Sequence, residues 1–246
     1  MKLWKKFLTA GLAVVMAAGL TACGGNKEET IKVGTSPDFP PYEFLKDGEV
    51  VGVEIELIKA LAEDMGKKVD VQAMDFDGVL AAVTTSKVQL GVSGLSITDE
   101  RKQTMDFTDP IFENSVRIMF KKDKPYETPD ALKGKKIGFQ VGTTSGDYLK
   151  DELPDAEANG YKEYIQAITD LENGKIDAIV MDQIPAERMI ADKADLQLSK
   201  EPLYVDTYAF ATKKGENAEL IKNINAGLKK LKENGKYDEI VNKYFK

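Results

Sequence analysis

Short apolar runs alternate with stretches in which apolar residues recur every three or four positions, from residue 31 to the end of the chain. The runs at 31–35, 69–73 and 88–92 predict buried strands. Ile55, Ile58, Leu61, Ala62 and Met65 fall on one helical face, which predicts a helix over 55–65 stopped by Gly66. A second helix is predicted over 77–86, with Val79, Leu80 and Val83 inward. Residues 43–50 read as a hairpin turning at Asp47 and Gly48. The pattern then repeats: strands at 116–120, 136–140, 161–164, 176–181 and 207–212, and helices at 147–153, 165–173, 185–191, 218–232 and 237–245. The stripe of Leu220, Ile224, Leu228 and Leu231 is the most regular of these. Strand, helix, strand, helix, strand, twice over, predicts an α/β protein of two halves with parallel sheets and helices on both faces.

Suspect residues then fall at one kind of place. Ser36 follows the first strand, and Ser93, Gly94 and Ser96 follow the third. Thr143, Thr144 and Ser145 follow the strand at 136–140, and Asp182 follows the strand at 176–181. In open α/β sheets ligands bind outside the carboxyl ends of strands, so four such ends from two halves predict a cleft between two lobes. Thr98 is placed to cap a short helix that carries Asp99, Glu100 and Arg101. There Arg101 is either a carboxylate receptor beside the small residues or a surface arginine paired with Glu100 or Asp106. Thr144 or Ser145 caps the following helix, either as an ordinary cap or as one whose free N–H groups face the cleft. Asp182 is either an ammonium partner or the cap of the helix containing Pro185. Phe39, Tyr42 and Phe76 are either an apolar clamp or core, with core the better reading for Tyr42. A separated cation and anion flanking hydroxyls fits a zwitterion better than a catalytic set. Charge-assisted hydrogen bonds of about 1.5–3 kcal/mol each bring micromolar affinity, about −8 kcal/mol, within reach.

Composition removes competing chemistries. The chain has no histidine, which excludes Ser-His-Asp and Cys-His nucleophiles and the commonest metal ligand. One cysteine leaves no internal disulfide and no cysteine-rich metal site, so neither a metal nor a cofactor is expected. Net charge is −7, with no basic stripe interleaved with aromatics, so no nucleic-acid partner is expected. Residues 138–146 lack the lysine of a phosphate loop.

The amino terminus sets the compartment. Lys2, Lys5 and Lys6 precede an apolar stretch, 7–20. It is shorter than the roughly 20 residues of a spanning helix, and it ends in Leu20, Thr21, Ala22 and Cys23. This resembles a lipobox. Residues 1–22 read as a lipoprotein signal peptide, Cys23 as the acylated mature amino terminus, and 23–30 as a flexible tether. The signal holds three lysines and no acid, so its removal takes the net charge from −7 to −10.

Over residues 31–246 the chain resembles bacterial extracellular solute-binding proteins of the polar amino-acid type, which feed ABC transporters. The motifs that carry the likeness are VGTSPDFPPYEF, GVEIELIKALAEDMG, MDFDGVLAAV, SGLSITDERKQTMDFTDPIFEN, GKKIGFQVGTTSGDYL, GKIDAIVMD and NGKYDEIVNKYF. The resemblance implies two Rossmann-like lobes with a two-strand hinge, the type II periplasmic-binding-protein plan, closing on ligand. Lobe one is then 30–113 plus 208–246, and lobe two 114–207. Arg101, helped by Ser96 and the Thr144 amide, would grip the α-carboxylate. Asp182 and the Ser93 carbonyl, at the turn with Gly94, would take the α-ammonium. Phe39 and Phe76 would sandwich the side chain, and Ser36, Gln140 and Met181 would line the far end. Ser36 stands where many relatives with basic or glutamine ligands have an acid, although Asp38 lies close by. Glu54 and Glu56 stand where Asp pairs are common and read as structural. The implied ligand is a polar amino acid with an elongated side chain, with glutamine, arginine and lysine all open. The implied partners are ABC permease subunits and, through the lipid anchor, the outer face of the membrane, with the chain itself a monomer. Two other readings stand beside it: an amino-acid-sensing lipoprotein, and a dehydratase-like enzyme on the same scaffold. The missing histidines and the lack of a general acid–base pair count against the enzyme.

Overall fold

A computed structural model of the chain describes residues 29–246. The signal segment, Cys23 and most of the tether lie outside the described residues, and Thr30, expected to end the tether, already opens the first strand. Among the described residues no helix is long and apolar enough to cross a membrane.

Two sheets organise the chain. The first runs Lys68–Ala73, Thr30–Thr35, Leu90–Gly91, Ala211–Lys213, Met105–Phe107. The second runs Glu157–Tyr161, Lys136–Gln140, Ala178–Asp182, Phe112–Lys121, Leu196–Leu198, with Tyr204–Tyr208 also paired to Phe112–Lys121. The βαβ part of each sheet is parallel, as the alternation of elements predicts. The sheets as wholes are mixed, which corrects the expectation of parallel sheets. Phe112–Lys121 runs antiparallel to Ala178–Asp182, and Ala211–Lys213 antiparallel to both its neighbours. These strands arrive from the other sheet without an intervening crossover helix, and that connection does not enforce parallel pairing. The chain therefore passes between the sheets twice, and the two passages are paired, Phe112 with Tyr208 and Glu113 with Thr207.

The helix predicted over 55–65 is Val53–Asp64, burying Val53, Ile55, Leu57, Ile58, Leu61 and Ala62. The regular stripe forms Ala218–Glu233, burying Ile224, Leu228 and Leu231. A Cβ on Gly227 would lie 2.6 Å from Leu61 Cδ2, so that glycine lets the two helices approach. Three predicted elements are corrected. The strand expected at 161–164 is Glu157–Tyr161, and Tyr164 instead opens the helix Tyr164–Glu172 with its ring fully buried. The strand at 207–212 splits into Tyr204–Tyr208 and Ala211–Lys213, one in each sheet, because the chain changes sheets there. The strand at 88–92 is paired only over Leu90–Gly91, although Val88 and Val92 are buried beside it.

Candidate functional site

The strand ends converge as their positions predict. One narrow cavity, about 10 Å³ by the space open to the centre of a water molecule, is lined by Ser36, Phe39, Phe76, Ser93, Gly94, Ser96, Arg101, Gln140, Thr144 and Asp182. Those are the ten positions singled out from sequence. Asp38, Glu43 and Thr143 complete its wall. Met181, expected at the far end, is instead fully buried in the core, because it points to the opposite face of its strand from Asp182.

Arg101 opens a single 3₁₀ turn whose cap position is Glu100, not Thr98 as expected, although Thr98 Oγ1 does accept the Arg101 backbone N–H at 3.1 Å. Arg101 is 9 % exposed, and among the described residues its guanidinium forms no ion pair with an acid. It donates instead to the carbonyls of Ser96 and Gly142, each at 2.9 Å, and lies 5.7 Å from the centre of the Phe76 ring. Burial pulls its pKa down, and the more distant Asp147 and Asp206 oppose that. Two neutral carbonyls satisfy only part of a guanidinium, so further N–H donors remain for an anion.

The helix Thr144–Glu152 brings a second set of donors. Its cap position is Thr143, not Thr144 or Ser145 as expected, and Thr143 turns its hydroxyl back to the Gln140 carbonyl at 2.7 Å. Thr144 thereby falls in the first turn, whose N–H groups have no partner within the helix. Tyr204 donates its hydroxyl to Thr144 Oγ1 at 3.1 Å, which fixes that side chain.

Asp182 ends the strand Ala178–Asp182 and occupies the cap position of the next helix, yet its side chain makes no cap bond. Asn114 Nδ2 and the Tyr208 hydroxyl both donate to its Oδ1. Asn114 also donates to Asp206 Oδ1 at 3.0 Å, so strands from both passages between the sheets hold this carboxylate. Burial, reinforced by Asp206 and opposed by the Tyr208 and Asn114 bonds, pushes its pKa up to about 7. A buried carboxylate with only neutral donors is a receptor for a cation.

At the other end, Ser36 donates its hydroxyl to Asp38 Oδ1 and Gln140 Nε2 donates to Asp38 Oδ2, each at 2.9 Å. Burial pushes the Asp38 carboxyl above its usual range, and its two hydrogen bonds oppose that. Two hydrogen bonds, Arg101 to Gly142 and Gln140 to Asp38, thus join the 3₁₀ turn at Arg101 and the short strand Asp38–Phe39, which pairs with Glu43–Lys46 outside both large sheets, to the end of the strand Lys136–Gln140 and the loop after it. Phe39 stacks on Tyr42 and Tyr164 at 5.7 and 6.3 Å between centroids. Tyr42 is fully buried, as read from sequence. Gly94 takes φ +54°, and a Cβ there would lie 3.0 Å from Phe39 Cε1, so glycine keeps this wall of the cavity open.

Residues 31–246 match the model of bacterial extracellular solute-binding proteins, family 3. The chain belongs to that family. Among its relatives, a probable histidine-binding protein of Campylobacter jejuni is 33% identical, over 98% of each chain. An ABC transporter arginine-binding protein of Escherichia coli is 32% identical, over 98% of this chain and 99% of the relative. An ancestral arginine-binding protein solved with arginine superposes with a TM-score of 0.84 at 36% identity, over 89% of this chain and 99% of that one. The same ancestral protein type solved with glutamine gives a TM-score of 0.84 at 35% identity, over 89% and 98%. The fold is the two-lobed type II periplasmic-binding-protein plan, and the family captures solutes, polar amino acids among them, outside the cytoplasm.

Sequence reasoning placed Thr143 in a suspect stretch without giving it a role, passed over Glu43 as a cavity residue and noted Asp38 only as a neighbour. Asp38 carries a readable signal, an acid two positions from Ser36 in the same rigid loop. Glu43 carries none, because an acid in a predicted hairpin reads as a solvent-facing position. Asn114, Tyr204 and Tyr208 orient the cavity residues across large sequence separations, which no local pattern records.

Proposed function

We propose that this protein captures a free α-amino acid with an elongated cationic side chain, closes two lobes over it and delivers it to an ABC transporter permease. The observation that carries this reading is the pair Arg101 and Asp182. Both are buried, both open on one cavity, and among the described residues neither forms an ion pair with an opposite charge. Arg101, Ser96 and the first turn at Thr144 receive the α-carboxylate, and Asp182 with the Ser93 carbonyl receives the α-ammonium. Phe39 and Phe76 flank the side chain. Asp38, held by Ser36 and Gln140, supplies the anion that Ser36 cannot, and no lysine or arginine among the described residues forms an ion pair with it. That favours a guanidinium or ammonium over a carboxamide at the far end.

The moving bodies in this proposal are 30–113 with 208–246 and 114–207, turning about the paired passages at Phe112 and Tyr208. Acylated Cys23 tethers the monomer to the outer face of the membrane. The protein is a receptor and not an enzyme, since its cavity holds no acid–base pair placed across a bond to be broken. The test is a thermal-shift screen of the twenty amino acids and cystine, because a ligand at 100 times Kd adds about 2.7 kcal/mol of stability. Arginine and lysine are expected to give the largest shifts, and glutamine a smaller one. A screen in which no amino acid shifts the melt overturns the reading, and one led by glutamine overturns the role given to Asp38.

A further inference from the structure

Two acids, Glu43 in the cavity wall and Glu54 behind it, have no use in amino-acid capture as described. Glu43 and Glu54 are both fully buried, and among the described residues no lysine or arginine forms an ion pair with either. Glu43 opens the strand Glu43–Lys46, and Glu54 lies in the first turn of the helix Val53–Asp64. Each reaches the turn that closes the cavity floor. Ser93 Oγ donates to Glu43 Oε1 at 3.3 Å and accepts the Ser36 N–H at 2.9 Å. Gly94 N–H donates to Glu54 Oε2 at 3.0 Å. One oxygen is left on each acid, Glu43 Oε2 and Glu54 Oε1, buried and without a partner as long as both side chains are acceptors only. The two side chains are nevertheless within hydrogen-bonding reach of each other. A single proton between them satisfies both leftover oxygens, and two bare carboxylates satisfy neither.

We propose that Glu43 as the neutral acid and Glu54 as the carboxylate form a one-proton positioning pair that fixes the corner of the binding cavity made by Ser36, Ser93 and Gly94. The proton belongs on Glu43 because Glu54 accepts the Gly94 N–H, which favours its charge, whereas Asp38 repels a charge on Glu43. Burial pushes both carboxyls above the usual range. The other titratable groups around the pair are Asp38 and Asp182 at the cavity, and Tyr42 and Tyr237, which burial keeps neutral. Loss of the shared proton places two like charges under the turn and displaces Ser93 and Gly94 from the ligand.

The test has two arms. Infrared spectroscopy of the unliganded protein at about pH 8.5, above the titration of Asp182 near 7, reads neutral carboxyls directly. A buried carboxylic-acid carbonyl band is expected in the wild type and is lost in Glu43→Gln. Calorimetry with arginine is the second arm and rests on the amino-acid-binding reading. Glu43→Ala is expected to lose at least about tenfold in affinity, and Glu43→Gln, a neutral donor of the same shape, to recover most of it. Glu43→Gln also flattens whatever fall in affinity the wild type shows on going alkaline. No carbonyl band at that pH, a band that survives in Glu43→Gln, or a glutamine variant as weak as the alanine variant overturns the pair. If Glu43→Ala does not fold, the infrared arm and the pH profile of Glu43→Gln still decide. If arginine fails to bind at all, the capture reading falls while the infrared arm still reports on the pair.

Discussion

At the head-group end of the cleft, Arg101 and Asp182 are 9 % and 7 % exposed and are held by carbonyls, an amide and a phenol. At the far end, Asp38 is half-buried and bonded to two side chains, Ser36 and Gln140, that line the same cavity. The first end has fixed charges whose partners are neutral, so a zwitterion meets both without displacing a protein counter-ion. The second end must exchange one set of polar contacts for another when a side chain arrives. On the proposed reading, affinity is concentrated at Arg101 and Asp182, and the choice among amino acids at Asp38, where each contact contributes less.

The sharpest way to break this comparison is at the head group. Truncating one member of a desolvated, hydrogen-bonded charge pair costs about 2–5 kcal/mol or more, and Arg101→Ala sits at the upper end of that range because carboxylate binding has no second cation in the cavity. Calorimetry is expected to show a loss of at least about 1,000-fold, with a circular-dichroism spectrum like the wild type. Asp182→Asn keeps the shape and removes the charge, and a loss of about 100-fold is expected, within the range for a buried charge pair.

The same carboxylate makes the cleft pH-sensitive. Its pKa of about 7 in the free protein lies above the ordinary carboxylate value. Between those two values the folded state holds more protons than the unfolded one, so the Asp182 contribution to unliganded stability falls as pH rises. An α-ammonium favours the ionised form, so ligand binding releases the proton. Affinity therefore weakens as pH falls below about 7, approaching about tenfold per pH unit. Titrations between pH 8 and 5.5 check the slope, and Asp182→Asn is expected to reduce it.

At the far end the effect is smaller and selective. Asp38→Asn is expected to weaken arginine by about tenfold, near 1.4 kcal/mol, and to leave glutamine within about threefold. Equal losses for both ligands would assign Asp38 to the architecture of the loop and not to selection.

The alternation of elements made the two α/β halves legible, because apolar periods of two and of three to four residues are local properties. It also located the cavity, since Ser36, Ser93, Thr144 and Asp182 all follow predicted strands. The antiparallel strands were not legible, because pairing direction depends on where the chain returns and not on its own pattern. Phe112–Lys121 meets strands that lie up to the far end of the second sheet's sequence. Tyr164 looked like the end of a strand because aromatic residues favour strands, and its burial against Phe39 from the other half decided otherwise. Side-chain partners such as Asn114 for Asp182, 68 residues apart, exist only after folding.

The central claim is that two fixed opposite charges read the group common to all amino acids. It is tested most directly by calorimetric titration with three compounds: arginine, its decarboxylated amine and its deaminated acid. Each analogue is expected to bind at least about 100-fold more weakly than arginine, having lost one charged partner in the cavity. An analogue that binds within about threefold of arginine would contradict the role of Arg101 if it is the amine, and that of Asp182 if it is the acid.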